Sequence, residues 1–437
     1  MTLAGKKVLV VGLGRSGLAA ARLLLRRGAD VTVTDRKPAS EIGARATALG
    51  PGVRLELGGH RAESFRRADL VVLSPGVPPL PELADARGEV LGELELGCRL
   101  LASRIVAITG TNGKSTTTSL VGAMLERLGK PLFVGGNLGT AVCEAVGGPA
   151  DGPDGIVVIE ASSFQLETVT RFHAHVAALL NVTEDHLDRY ADLAAYASAK
   201  GRVFGNQTRD DFAVVRADLA DVPDQAGSDA RRLTFALGSA DATLDGTTVV
   251  LGGERLDAAG LPLVGTHNLE NLMASLLVAR CLGVAPSDGM ATARRFRPLP
   301  HRMEHVAEIR GVAYYDDSKA TNVGAVARSL EGFPRPVVLI AGGRDKGGSY
   351  RPLREVAAKG LRGAVLLGEA RDLIANALEG AVTVEMAADM NDAVRRAAAL
   401  AHSGDAVVLS PACSSYDMFA NYEERGRVFR AAVEGLA

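Results

Sequence analysis

The sequence predicts an α/β chain of three domains: an N-terminal Rossmann-like domain, a central P-loop domain and a C-terminal Rossmann-like domain. Three observations point to it: a length of 437 residues, two well-separated strand–glycine–helix junctions, and one strand phrase that recurs near both ends. At roughly 150 residues per domain the length asks for about three hydrophobic cores. The hydrophobic share of 47% and charged share of 23% are those of a globular protein. Lys+Arg 49 against Asp+Glu 51 leaves a formal charge of -2. No bulk field therefore attracts nucleic acid or an acidic membrane surface, and an anionic ligand must be held locally.

The four cysteines, Cys98, Cys143, Cys281 and Cys413, stand far apart with no CxxC pairing, which signals neither a zinc site nor a dense disulfide framework and suits a reducing cytosol. Lys6 and Lys7 before an apolar stretch imitate a secretory leader, but Gly12, Gly14 and Arg15 break it and no clean cleavage site follows, so the stretch is expected to be a strand. No run approaches the ~18 consecutive apolar residues of a membrane helix, and a soluble protein is expected.

Each element follows from its pattern. A buried-strand run at 8–11 meets glycines, then a helical pattern at 18–27 and a second strand at 31–34, a βαβ unit. Residues 69–76 read Asp-Leu-Val-Val-Leu-Ser-Pro-Gly, and residues 405–412 read Asp-Ala-Val-Val-Leu-Ser-Pro-Ala. Each phrase puts a Ser-Pro at the carboxyl end of a strand, where open parallel sheets bind ligands, although a simple strand stop would look the same. Between them, a strand at 105–109 and a glycine turn lead into a helix at 115–127. Strands at 156–159 and 177–180, a polar segment at 181–190 and an alanine-rich helix at 193–203 follow. Short alternating strands across 211–264 suggest a small β excursion of the same domain. Pro298 and Pro300 mark a boundary, after which strands at 337–341, 364–367 and 406–409 alternate with helices. The boundaries fall near 95 and 299.

The chemistry-bearing phrase is Gly110-Thr111-Asn112-Gly113-Lys114-Ser115-Thr116, between a strand and a helix. Backbone N–H groups there point into the positive end of the helix, which is where phosphate binds. Lys114 would reach the β and γ phosphates, and the Ser115 or Thr116 hydroxyl would complete a Mg2+ shell. The loop is a variant, because Ile108 stands where the general G-x4-G-K-[ST] rule has its first glycine. Gly12-x-Gly14-x-x-Gly17 also follows a strand, and Asp35 ends the next strand 18 residues after Gly17, near the spacing of a ribose-binding acid. Read naively this is an NAD site, but the same turn holds any diphosphate. Two phosphate cradles in two domains suggest an enzyme that joins a nucleotide-carried substrate at the expense of a nucleoside triphosphate.

Glu160, after the apolar strand, would face the phosphate loop as a Mg2+ ligand or merely end a strand at the surface. Glu184-Asp185-His186-Leu187-Asp188 could bind metal or be solvated. Asp316, Asp317, Ser318 and Lys319 end a short strand, and His267, Asn268 and Asn271 lie in a helical stretch; turn and cap roles would explain both groups.

Together these segments resemble the Mur ligase family over essentially the whole chain. The carriers are GLGRSG at 12–17, LSPGVP at 73–78, TGTNGKST at 109–116, GGNLG at 135–139, EASSFQLE at 160–167, NVTEDHLDRY at 181–190, HNLENLMA at 267–274, PHRME at 300–304, DDSKATN at 316–322 and LSPACSSYDMFANYEERG at 409–426. The last phrase points to the branch that adds D-glutamate. The resemblance implies a cytoplasmic, monomeric, ATP-dependent ligase of peptidoglycan precursor synthesis, adding D-glutamate to UDP-N-acetylmuramoyl-L-alanine through an acyl phosphate, with no nucleic acid or membrane partner.

Residue by residue, the resemblance implies that 110–116 with Asn271, Arg302 and Asp317 bind ATP, and that Lys114, Glu160, His186, Lys200 and Lys319 are catalytic. Ser115, Glu160, His186 and Lys200 would hold two Mg2+ ions, Lys200 as a carbamylated lysine. Gly14, Arg15, Ser16, Asp35, Arg36, Ser74, Pro75, Gly76, Asn137 and His186 would grip the UDP-substrate. Thr321, Lys346, Ser415, Tyr416 and Tyr422 would meet D-glutamate. Tyr416 and Tyr422 depart from the family pattern, where an aliphatic residue and a phenylalanine are familiar. Outside the family, an NAD-linked oxidoreductase and an ATP-switched interaction protein are the rival readings; ADP release dependent on D-glutamate separates them.

Overall fold

A computed structural model describes every residue except 51, 186–188, 264, 298, 332 and 437, and the side chain of 44. Its strands form three sheets in chain order. The first contains β1 (Lys7–Val11), β2 (Asp30–Asp35), β3 (Arg54–Leu57), β4 (Leu70–Leu73) and β5 (Glu89–Gly92), all parallel, in the order β3-β2-β1-β4-β5. The second contains β6 (Arg104–Thr109), β7 (Leu132–Gly136), β8 (Ile156–Glu160), β9 (Val176–Leu179), β10 (Phe212–Arg216), β11 (Arg231–Phe235), β12 (Ala242–Asp245), β13 (Thr248–Leu251) and β14 (Glu254–Asp257). Its order is β14-β13-β12-β11-β10-β9-β6-β8-β7, and only the β12-β13-β14 meander is antiparallel. The third contains β15 (Glu304–Ile309), β16 (Val312–Asp316), β17 (Val337–Gly342), β18 (Leu361–Leu367), β19 (Thr383–Met386) and β20 (Ala406–Leu409), ordered β15-β16-β20-β17-β18-β19 with β15 antiparallel at the edge. The chain thus has the expected three-domain α/β architecture.

Why the apolar runs become central strands is visible in how each splits its side chains. Successive residues of a strand point to opposite faces, so a strand buried on both must be apolar throughout. In β6, Val106 and Ile108 enter one core while Ile105 and Ala107 enter the other. In β1, Val8 and Val10 part from Leu9 and Val11. In β17, Val337, Leu339 and Ala341 part from Val338 and Ile340. Each fully buried Val, Leu or Ile contributes about 1.5–3 kcal/mol, so helices on both faces are held by the same strand.

In every sheet the strand order reverses beside the central strand, and open parallel sheets bind ligands outside the carboxyl ends at such points. Between β1 and β4, Ser74 donates to Gly12 O at 2.8 Å. Between β20 and β16, Ser410 donates to Asp317 Oδ2 at 2.8 Å. The echoed Ser-Pro phrases therefore do the same local work: each serine, at the end of its strand, clasps the loop of the neighbouring strand. No helix among the described residues is long and apolar enough to cross a membrane.

Candidate functional site

The loop 110–113 leaves β6 and opens the helix Lys114–Leu125, with Gly113 as its N-cap at φ 83°. A Cβ on Gly113 would also come within 2.2 Å of Asn271 Oδ1, so glycine is needed both for the turn and for the close approach of the helix Thr266–Cys281. The segment after β9 splints this loop. Thr111 N–H donates to Asn181 O at 2.9 Å, Asn112 N–H to Asn181 Oδ1 at 2.9 Å, and Thr183 N–H to Thr111 Oγ1 at 3.0 Å. The polar phrase that begins at 181 is thereby fixed to the glycine loop.

Charge is concentrated around it. Lys114 Nζ donates to Gly110 O and Thr111 O, both at 2.8 Å, and burial lowers its pKa against the opposing pull of Glu160. Lys200, on the helix Leu193–Gly201, is buried and also donates to Gly110 O, at 3.0 Å, with its Nζ 4.2 Å from the Tyr196 ring centroid. Burial, and then the charge of Lys114, hold its pKa well below the ordinary lysine value.

Glu160 ends β8, paired with Ile108 of β6, and is buried. Its Oε2 accepts from the Ser115 hydroxyl and its Oε1 from Asn137 Nδ2 at 2.6 Å. Arg302, from the C-terminal side, donates Nη2 to Ser115 Oγ at 2.5 Å. The Ser115 hydroxyl and the Glu160 carboxylate form a hard oxygen set that suits Mg2+. His186 lies outside the described residues.

Two clefts meet this centre. Asn112, Gly113, Thr116, Asn271, Arg302, Asp317 and Lys319 line the first, between the central and C-terminal domains, together with His267, which the sequence offered only as a cap, and with Pro262, Leu263 and Arg328, which the sequence did not mark. Burial raises the Asp317 carboxyl to about 7, although Ser410 and the Met303 N–H donate to it. Burial, and then Arg302, lower Lys319 to about 8, and its Nζ sits 3.8 Å from the Tyr422 ring centroid.

The second cleft, between the N-terminal and central domains, brings together Gly14, Arg15, Ser16, Asp35, Arg36, Ser74, Pro75, Gly76 and Asn137. Asp35 spends its carboxylate on the loop, accepting from Leu13 N–H at 2.6 Å and Lys37 N–H at 2.9 Å. Gly17 cannot be replaced, because a Cβ there would lie 1.8 Å from Gly12 O. Arg45 and His60 also line this cleft and belong to no phrase that would have flagged them.

The D-glutamate set is only partly gathered. Tyr422 reaches the first cleft through Lys319, Ser415 is buried, and Thr321 N–H donates to Lys319 O at 2.8 Å. Lys346 is exposed and Tyr416 is 64% exposed, and neither lines either cleft. Beside them, His301 Nδ1 lies 2.6 Å from Asp316 Oδ2, and Glu304 pairs with Arg430 at 2.7 Å. This cluster, read from sequence only as part of a phrase, braces the turn that carries Arg302.

Comparison with known proteins agrees with this layout. Residues 6–91 match the Mur ligase MurD-like N-terminal domain, 108–279 the Mur ligase middle domain and 301–413 the Mur ligase glutamate ligase domain. The chain is 45% identical to the UDP-N-acetylmuramoylalanine--D-glutamate ligase of Geotalea daltonii, covering 100% of this chain and 99% of that one. It is 48% identical to the protein of the same name from Anaeromyxobacter dehalogenans, covering 98% and 97%. Among solved structures, the UDP-N-acetylmuramate-alanine ligase MurC of Thermotoga maritima shares the fold with a TM-score of 0.63 at 21% identity, over 99% of this chain and 100% of that chain. With three family models spread from residue 6 to residue 413 and relatives nearly half identical end to end, this chain belongs to the Mur ligase family.

Proposed function

We propose that the chain is an ATP-dependent ligase that joins D-glutamate to UDP-N-acetylmuramoyl-L-alanine, with release of ADP and phosphate, in cytoplasmic peptidoglycan precursor synthesis. One observation carries this: the hydrogen-bonded path Asn137–Glu160–Ser115–Arg302 joins the cleft of the N-terminal glycine loop to the cleft of the GTNGKST loop. A carboxylate held in the first is thereby presented to a γ phosphate held in the second. Domain boundaries at 95 and 299 put each cleft on a seam, and the relatives' names supply the substrates.

A carboxylate and an ammonium do not condense unaided, because the leaving oxide is too basic. In-line attack of the alanyl carboxylate on the γ phosphate yields an acyl phosphate, and the D-glutamate amine then displaces phosphate. Lys114 and Arg302 neutralise charge as it moves onto the phosphoryl oxygens, and Lys319 stabilises the anionic tetrahedral intermediate, each well-placed donor contributing about 3 kcal/mol. Gly110, Thr111, Asn112, Gly113 and Thr116 cradle the phosphates, and Asn271 and Asp317 hold the nucleotide. Ser115, Glu160 and Lys200, with His186, would hold Mg2+, which screens the phosphate charge when bound; two ions are implied. Lys200 suits carbamylation, since burial and the neighbouring charge of Lys114 favour loss of its proton and the deprotonated amine is the form that adds CO2; the carbamate would be a further oxygen ligand. Thr321, Lys346, Ser415, Tyr416 and Tyr422 would orient D-glutamate once the C-terminal domain closes. The enzyme acts as a monomer in this reading.

The test is ADP release with each amino acid offered in turn. D-glutamate alone should support turnover, whereas ADP release independent of any amino acid, or an NAD(P)H absorbance change without ADP, would replace the assignment. Lys114→Ala should abolish phosphate release while UDP-substrate binding survives.

A further inference from the structure

The C-terminal domain meets the glycine-loop splint at the helix Val323–Leu330, whose N-cap is Asn322. Asn322 uses both ends of its amide. Its Oδ1 accepts the Ala325 N–H at 2.7 Å, capping the helix, and its Nδ2 donates across the seam to Asp185 Oδ2 at 3.0 Å. Because the cap fixes the side-chain torsion, the amide nitrogen is aimed rather than free to wander. The helix also touches the splint one residue on from its first position: a Cβ on Gly324 would lie 3.8 Å from Thr183 Oγ1, a buried hydroxyl with no hydrogen-bond partner among the described residues.

Asp185 stands two residues after Thr183, whose N–H is bonded to Thr111 of the phosphate loop. Thr321, next to Asn322, carries the chain back to Lys319. The contact therefore ties the segment that braces the phosphate loop to the part of the C-terminal domain that would hold the amine.

We propose that Asn322 is a positioning residue: its capped amide, bonded to Asp185, sets the distance between the D-glutamate amine and the acyl phosphate. This rests on the ligase reading above. Near-attack geometry is sensitive, and a misplacement of about 1 Å can cost on the order of a hundredfold in rate. A looser seam also admits water to the acyl phosphate. Water oxygen then bonds to the carbonyl carbon, the C–O bond to phosphorus breaks with its electron pair leaving on phosphate, and the proton goes to solvent. The substrate carboxylate is regenerated and ATP has been used without an amide.

Two variants separate aiming from capping. Asn322→Ser keeps a good N-cap and deletes the bridging donor, and Asn322→Asp keeps the cap and sets a carboxylate against Asp185. Both should melt close to the parent. Relative to it, Asn322→Ser should lose about tenfold in kcat with a raised KM for D-glutamate and an unchanged KM for the UDP-substrate, and Asn322→Asp should lose more. The decisive readout is stoichiometry: the parent releases phosphate and amide product in equal amounts, and both variants release excess phosphate. Parent-like kcat with equal amounts in both variants overturns the proposal, as does a rate loss with no excess phosphate. If the parent itself shows no D-glutamate-dependent ADP release, the ligase reading has failed instead, so the two failures are distinguishable.

Discussion

Lys200 illustrates how a residue that looks ordinary in sequence acquires a special chemistry from its surroundings. The amino groups of Lys114 and Lys200 converge on the carbonyl oxygen of Gly110, at 2.8 and 3.0 Å, with Lys200 buried and Lys114 half-buried. Burial and like charge both favour the neutral amine, and the neutral amine is the form that adds CO2. Lys200→Arg keeps length and charge but cannot form a carbamate, so ATP turnover should fall at least about a hundredfold, a loss of roughly 2.7 kcal/mol in transition-state stabilisation. Parent enzyme stripped of CO2 should weaken and recover with bicarbonate; an unaffected parent would remove the carbamate from the mechanism. Lys319 gives a pH prediction with a definite sign. Its pKa is depressed to about 8, so the ammonium is present below that pH and is lost as pH rises through it. The kcat should fall above about pH 8, where the tetrahedral intermediate loses this charge. Lys319→Arg, with a guanidinium that stays charged, should flatten the profile.

At the scale of elements, the strongest constraint is the entry to the helix Lys114–Leu125. Gly113→Ala forces a side chain into φ 83°, costing about 1–2 kcal/mol, and drives its Cβ toward Asn271. Urea unfolding should show that loss, and ATP affinity should fall further, because the phosphate cradle and Asn271 move together. An alanine variant with parent-like ATP affinity would contradict this packing. The helix was legible because it follows a strand and a glycine turn, and GLGRSG and LSPG placed the glycine-loop side of the UDP cleft for the same reason: motif residues bond to their own loops, as Ser74 does to Gly12, whereas Arg45 and His60 of the same cleft belong to no such phrase. β7 was not legible, since Leu132–Gly136 is mostly half-buried and ends in two glycines that imitate a loop. Long-range pairings escaped too. Asn137 with Glu160 and Lys319 with Tyr422 join residues that no local spacing relates. The reach of Arg302 depends on His301 at φ 63° and Met303 at φ 48°, non-glycine residues in the left-handed region that only tertiary contacts such as His301–Asp316 can sustain. Lys346 and Tyr416 came from family resemblance alone, and in this arrangement they face solvent.

For the whole molecule, the two clefts differ in how many domains build them, and that difference can be measured. The UDP cleft is lined by residues drawn from 12 to 165, the N-terminal and central domains. The nucleotide cleft needs the C-terminal domain, which supplies Arg302, Asp317, Lys319 and Arg328. Of these, Arg302 alone bonds into the phosphate loop's helix, at Ser115. A ligand that binds only the folded state stabilises it by RT ln(1 + [L]/Kd), about 2.7 kcal/mol at a hundredfold excess over Kd. Both ATP and the UDP-substrate should therefore raise the melting temperature of the parent. In Arg302→Ala the ATP-induced rise should shrink sharply, because the variant removes a charge that faces the phosphates and the tie that draws the C-terminal domain onto the loop. The rise induced by the UDP-substrate should persist, since no described residue lining that cleft lies beyond 165. Loss of both shifts would mean that the UDP cleft is also completed by closure of the C-terminal domain, and a retained ATP shift would move the nucleotide's anchor from Arg302 to the loop alone.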